Sequence, residues 1–150
     1  MLNKESLIKY FEDGITEKGD ERIGTEHEKF VFNKNDYSLI PYEGEKSISV
    51  LLELFIQDDW KPKYEGDNII ALTKENASIT LEPGGQFELS GAPLVTIHET
   101  CREINNHLKF VKSIEEKMNI GFLGLGFLPI EKLDVVPHVP KKRYSEIMRP

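Results

Sequence analysis

The sequence has a single cysteine, Cys101, among its 150 residues. That excludes an internal disulfide and a multi-cysteine metal site. No apolar run approaches the roughly 20 residues that a membrane-spanning helix needs. Positive charge is in deficit: 19 Lys and Arg stand against 26 Asp and Glu, for a net charge of −7. This balance argues against a nucleic-acid backbone or an anionic membrane as the main partner. An anionic substrate stays compatible with it, because a bound divalent cation inverts the local field. Internal repeats, low-complexity tracts and long linkers are all missing. The opening "MLNKESLIKYFEDG" has neither the apolar centre of a signal peptide nor the acid-poor, Arg/Ser-rich character of a transit peptide, so the expected location is the cytoplasm.

What is present describes one globular domain: 39% hydrophobic and 30% charged residues, enough chain for a real core. Leu7, Ile8 and Phe11 predict a weak helix over 4–12. Residues 22–32 read as a strand and 33–45 as a loop. Ile48, Leu51, Leu52 and Phe55 predict a helix over 47–57. "NIIALT", "SITLE" and "QFELS" read as strands joined by the turns "KENA" and "PGG". Residues 94–118 give the strongest pattern, a helix with Leu94, Ile97, Cys101, Ile104, Leu108, Val111 and Met118 along one stripe. "IGFLGLGFL" follows as a buried strand. Tyr144, Ile147 and Met148 then stand at helical spacing, and the element they open predicts a truncated chain. The fold class is α+β, with a mainly antiparallel sheet and helices on one face.

The two most sheet-like stretches, "IGTEHEKFVF" and "ITLEPGGQFELS", each carry two glutamates. Side chains alternate along a strand. Gly24, Glu26, Glu28, Phe30 and Phe32 therefore share one face, and Thr25, His27, Lys29 and Val31 the other. Glu82 points away from Ile79 and Leu81, and Glu88 away from Phe87 and Leu89. Carboxylates at i and i+2 lie ~7 Å apart, and their repulsion is roughly 2.4 kcal/mol at an effective dielectric of 20. Four of them in a sheltered place call for a cation. Hard oxygen donors without a cysteine or a histidine pair point to Mg²⁺ or Mn²⁺. From spacing alone, a solvated sheet face accounts for the four equally well. His27, on the opposite face, reads as structural.

Other motifs are weaker. "EPGGQ" lacks the Lys-Ser/Thr ending of a P-loop and reads as a tight turn that aims Glu82 and Glu88. "GFLGLG" fails as a dinucleotide fingerprint, and Gly124 and Gly126 suit close packing. Cys101, on the apolar stripe, is expected to be buried and unreactive. "PKKRY" reads either as an anion clamp or as a solvated basic loop. Arg149, following the apolar Ile147 and Met148, is the candidate substrate-binding residue.

"IGTEHEKF", "LEPGGQFELSGAP", "NNHL", "GFLGLGF" and "YSEIMRP" together resemble the plant and proteobacterial type of glutamate–cysteine ligase. The match is dense over 22–32 and 79–128 and resumes near 140. The resemblance implies a glutamine-synthetase-like sheet forming a funnel for Mg²⁺, ATP as co-substrate, glutamate and cysteine. It implies ligation of the glutamate γ-carboxyl to cysteine through γ-glutamyl phosphate, the first step of glutathione synthesis. Glu26 and Glu28 fall on the family's first metal-binding strand, and Glu82 and Glu88 on its second; none is a nucleophile or general base. Cys101 falls where the plant enzymes have a cysteine of a redox disulfide, with its partner beyond residue 150. Val31 replaces a usual glycine. The family's chain is much longer, so residues 1–150 are expected to be the N-terminal part of a single catalytic domain, an incomplete funnel inactive by itself. Two alternatives remain open. One is another carboxylate–amine ligase of the same fold, and the other is a non-catalytic domain binding a small molecule or protein through its sheet.

Overall fold

The computed structural model describes residues 2–128 and 132–147. Asn3 opens helix α1 (Lys4–Asp13) through a reciprocal capping box with Ser6, but no residue of α1 is buried. Leu7, Ile8 and Phe11 are exposed, so local capping alone defines this helix. Strand β1 (Glu26–Asn33) begins later than expected, because Ile23 leaves to form an isolated bridge with Leu94. Helix α2 (Ile48–Ile56) is where the spacing predicts it, with Ser47 as N-cap and Ile48, Leu51, Leu52 and Phe55 buried.

Four strands follow: β2 (Lys61–Glu65), β3 (Asn68–Lys74), β4 (Ala77–Leu81) and β5 (Phe87–Ser90). Sequence reading missed β2, "KPKYE", whose lysines and proline disguise it. It is an edge strand, where Pro62 breaks no interior ladder and lysine discourages further pairing. Helix α3 (Ile97–Met118) opens at a Thr96–Glu99 capping box and closes at Asn119 in the left-handed conformation. That reversal feeds β6 (Ile120–Leu123) straight back against β1. The strand expected from "IGFLGLGFL" stops at Leu123, and residues 124–127 are exposed. Close packing falls on Gly121, over which the Phe32 ring lies, whereas Gly126 has nothing near it. A short 3-10 turn (Leu133–Val135) and helix α4 (Lys142–Ile147) complete the described chain.

The six strands form an antiparallel sheet in the order β2-β3-β4-β5-β1-β6, with two free edges rather than a closed barrel. Helices α2 and α3 cover one face. Their Leu51, Leu52, Phe55, Val111 and Ile114 meet Leu72, Ile79, Leu81, Phe87 and Leu89 in one core, which also takes in Val31. Phe55 is its centre, 5.3 Å from Phe87 and 4.7 Å from Phe110 by ring centroids. The α+β class and the one-sided helices are as the patterning predicts.

The face of α3 is not. Thr100, His107, Val111 and Ile114 are its buried residues, whereas Ile97, Cys101 and Leu108 are exposed. The expected stripe is wider than the sheet can cover, and the helix sits about one residue round from its centre. His107 decides that rotation. Its ring stacks on Phe87 at 6.0 Å and 12°, and its Nε2 lies 3.4 Å from the Lys29 ammonium. Lys29 is 8% exposed, and its other acceptor is the carbonyl of His27 at 3.3 Å. Burial pushes Lys29 down to about 8 and, with the Lys29 charge, pushes His107 down to about 3.

A lysine buried without a carboxylate partner destabilises the fold wherever it is charged. Between pH 8 and the usual lysine value of 10.5, the unfolded chain holds a proton that the folded chain has lost. Stability from this group therefore rises with pH across that window. Lys29→Met is expected to stabilise the chain at pH 7 by roughly 2–4 kcal/mol. Its advantage over the parent should shrink by pH 9.5, as urea denaturation at the two pH values will read. An equal difference at both would mean that Lys29 keeps its proton throughout.

A carboxylate face on the sheet

The face opposite α2 and α3 carries the glutamates. In the β1–β5 register Glu28 stands across from Glu88, and in β4–β5 Thr80 stands across from Glu88. Directly paired residues point to the same side with Cβ atoms about 5 Å apart. Glu28, Glu88 and Thr80 thus form one row. Glu26, Ser90 and Ser78 form the next, by the same register. Glu82 lies one step beyond Thr80, where the turn begins. Its N–H donates to the Gln86 carbonyl at 3.0 Å, and the Gly85 N–H donates to the Glu82 carbonyl at 2.9 Å. Gly85 is at φ +78°, a conformation that glycine takes without strain. The turn reading of "EPGGQ" therefore holds.

The carboxylates differ in setting. Glu88 is buried, and both of its oxygens are held: Ser90 Oγ donates to Oε1 at 2.7 Å and Thr80 Oγ1 to Oε2 at 3.2 Å. Glu82 is half-buried. Burial raises its pKa, the nearby Glu88 and Glu28 charges raise it further, and Lys141 opposes them. Glu26 and Glu28 are exposed. Among the described residues, no three carboxylate, imidazole or thiol groups stand close enough to hold a metal ion. The common face is there; a closed chelating set is not.

His27 lies on the helix side, in a groove between β1 and α3, where strand alternation puts it. Arg149 lies outside the described residues. Three contributors escaped the sequence reading. Thr80 and Ser90 orient Glu88, a role visible only once β5 is paired. Lys141, from "PKKRY", is not a solvated loop residue, because its ammonium donates to the Leu81 carbonyl at 2.8 Å.

An antiparallel sheet with helices packed on one face and glutamates gathered on the other is an α+β domain, consistent with the glutamine-synthetase-like fold that the resemblance implies. A family model described as glutamate-cysteine ligase family 2 matches residues 22–149. The chain belongs to that family. It is 51% identical over 148 residues to the chloroplastic glutamate–cysteine ligase of Nicotiana tabacum, covering 99% of this chain and 28% of that protein. It is 49% identical over 148 residues to the chloroplastic ligase of Arabidopsis thaliana, with the same coverage. Glutamate–cysteine ligase A, chloroplastic, of Oryza sativa subsp. japonica is 50% identical over 149 residues, 99% of this chain and 30% of that protein. The chain thus spans less than a third of the length of these relatives.

Two expectations are corrected. The cytoplasmic location does not stand, because the relatives are chloroplastic proteins. Composition answers to the solvent around a folded domain and does not distinguish one aqueous compartment from another. Cys101 is exposed rather than buried, because the rotation set by His107 turns it away from the sheet. No helix among the described residues is long and apolar enough to cross a membrane.

The exposed thiol has a direct readout. Cys101 is expected to react with Ellman's reagent in the native chain as fast as in urea to within about tenfold, since nothing must unfold to reach it. Protection by several orders of magnitude would place it back in the core.

Proposed function

We propose that this chain supplies the metal-binding carboxylates of an ATP-dependent ligase that joins the γ-carboxyl of glutamate to the amine of cysteine. The observation that carries the reading is the placement of Glu28 across from Glu88, with Glu82 one step beyond Thr80, on one sheet face. Family membership supports the same reading. The donor set is hard oxygen throughout, which suits Mg²⁺ or Mn²⁺. When bound, such an ion neutralises charge on ATP phosphates as the terminal phosphoryl group passes to the glutamate side chain.

The chain's own residues bind and orient. Glu88 is the fixed donor, its oxygens aimed by Ser90 and Thr80. Glu26 and Glu28, exposed, have room to reorient toward the ion. None of the four is a nucleophile. The acyl phosphate is attacked by the cysteine amine, and the face must keep water from reaching it first. Arg149 is the proposed contact to an anionic substrate. Glutamate, cysteine and ATP are the proposed partners, and ADP and phosphate the by-products.

Positioning supplies much of the rate in a transfer of this kind. A polypeptide of the relatives' full length containing this sequence is expected to release ADP only when glutamate, cysteine and Mg²⁺ are all present. The 150-residue chain should bind Mn²⁺ weakly and turn over little or not at all. Glu28→Gln in the long form should lower turnover by about 100-fold or more. An unchanged rate in that variant would refute the metal assignment. ADP release independent of cysteine would indicate a ligase for another amine.

A further inference from the structure

A groove runs along the helix side of the sheet, between α3 and the β1–β6 pair, across the sheet from the glutamates. Leu108, Lys112 and Glu115 border it at i, i+4 and i+7 of α3, and His27 and Lys29 border it from β1. Val111 and Phe122 add apolar lining. Its volume is about 480 Å³, in the range of small-molecule sites.

The charges along this groove do not cancel. Both oxygens of Glu115 are committed within the fold: Oε1 accepts from the Phe122 N–H at 3.2 Å, and Oε2 pairs with Lys34 at 3.6 Å. Glu28 borders the groove, but its side chain alternates onto the other face, across from Glu88. Lys29 and Lys112 remain, and neither makes an ion pair within 4 Å among the described residues. Lys112 is exposed, and water satisfies it. Lys29 is more than nine-tenths buried. Its acceptors are the His27 carbonyl at 3.3 Å and His107 Nε2 at 3.4 Å. Both are long contacts, and an imidazole that accepts from an ammonium is itself neutral. The ammonium is left short of one acceptor and one negative charge. A single carboxylate entering from the groove supplies both, whereas a dianion would exceed the buried charge. Leu108, 44% exposed, leaves an aliphatic wall uncovered beside it.

We propose that this groove is a binding site for a small carboxylate with an apolar tail, its carboxylate on the Lys29 ammonium, its tail along Leu108, Val111 and Phe122, and Lys112 at the rim. The sheet separates this site from the glutamates, so the inference does not rest on the metal reading. Occupancy offsets the cost of burying Lys29 and steadies β1, which carries Glu26 and Glu28 on its other face.

The test is a titration of the ¹⁵N-labelled 150-residue chain with hexanoate, followed by amide chemical shifts, whose dispersion also shows that each variant is folded. Hexanoate is expected to shift the amides of Lys29, Leu108, Lys112 and Phe122. It should bind about tenfold or more tightly than hexan-1-ol, which has the tail without the charge. Acetate, which has the charge without the tail, should bind weaker than hexanoate by about tenfold or more. Lys29→Met fills the same space without the charge. It should cut hexanoate affinity about tenfold or more and erase the preference over hexan-1-ol. Lys112→Gln, an exposed change, should cut it roughly two- to threefold. Hexanoate should also raise the urea midpoint of the parent and leave that of Lys29→Met unmoved. Equal binding of hexanoate and hexan-1-ol to the parent overturns the carboxylate assignment. Hexanoate affinity unchanged in Lys29→Met, or shifts confined to residues outside the groove, overturns the site.

Discussion

Strand β5 is the constraint on which the arrangement depends. It is four residues long and lies between β4 and β1, with Phe87 and Leu89 sealed in the core and Glu88 on the reverse side. Alternation along a strand has a period of two, so a slip of one residue would drive Glu88 into the aromatic cluster around Phe55 and expose Phe87. Burial of those two apolar side chains therefore fixes the register, and the register fixes which glutamates meet. Glu28 faces Glu88 because Lys29 faces Phe87 on the same ladder.

The same pairing accounts for the two unusual electrostatic sites of the molecule, one on each face. On the helix side, Lys29 is drawn inward because its neighbours Glu28 and Phe30 occupy the other face. It is left with a neutral imidazole and a carbonyl as acceptors. On the other side, carboxylates crowd together, and Glu88 is held by the hydroxyls of Thr80 and Ser90. Like charges held together by a strand register that the core dictates store repulsion that a ligand can relieve.

The glycines mark where backbone geometry serves this arrangement. Gly85 makes the turn that carries Glu82 to Gln86 across the end of the β4–β5 pair. Gly91, just past β5, lies where any side chain would strike the Glu103 carboxylate and the Thr25 hydroxyl. Glu103 in turn accepts from the Ala92 N–H at 2.8 Å and locks the end of β5 to α3. Val31, a residue the family resemblance marks as a departure, is absorbed without difficulty into the core at 2% exposure.

Local chemistry was enough for the sequence to determine the α+β class, helix α2, the three strands of the meander and the side of the sheet on which each glutamate stands. These follow from periodicity and turn residues, which act over a few positions. The motif around Glu82 and Glu88 was also long enough to identify the family. Properties that depend on distant surfaces were not legible. The edge strand β2 hid behind lysines and a proline, because what suits an edge looks like a loop. The inward face of α3 was misread because the apolar arc is broader than the sheet beneath it, and the contact of His107 with Phe87 and Lys29 decides the rotation. That rotation exposes Cys101. Lys141 could be placed on the Leu81 carbonyl at the end of β4 only by the packing of residues 139–144, a contact spanning some sixty residues of chain. Strand parity tells a sequence reader which way a side chain points; only the folded chain decides what it meets there.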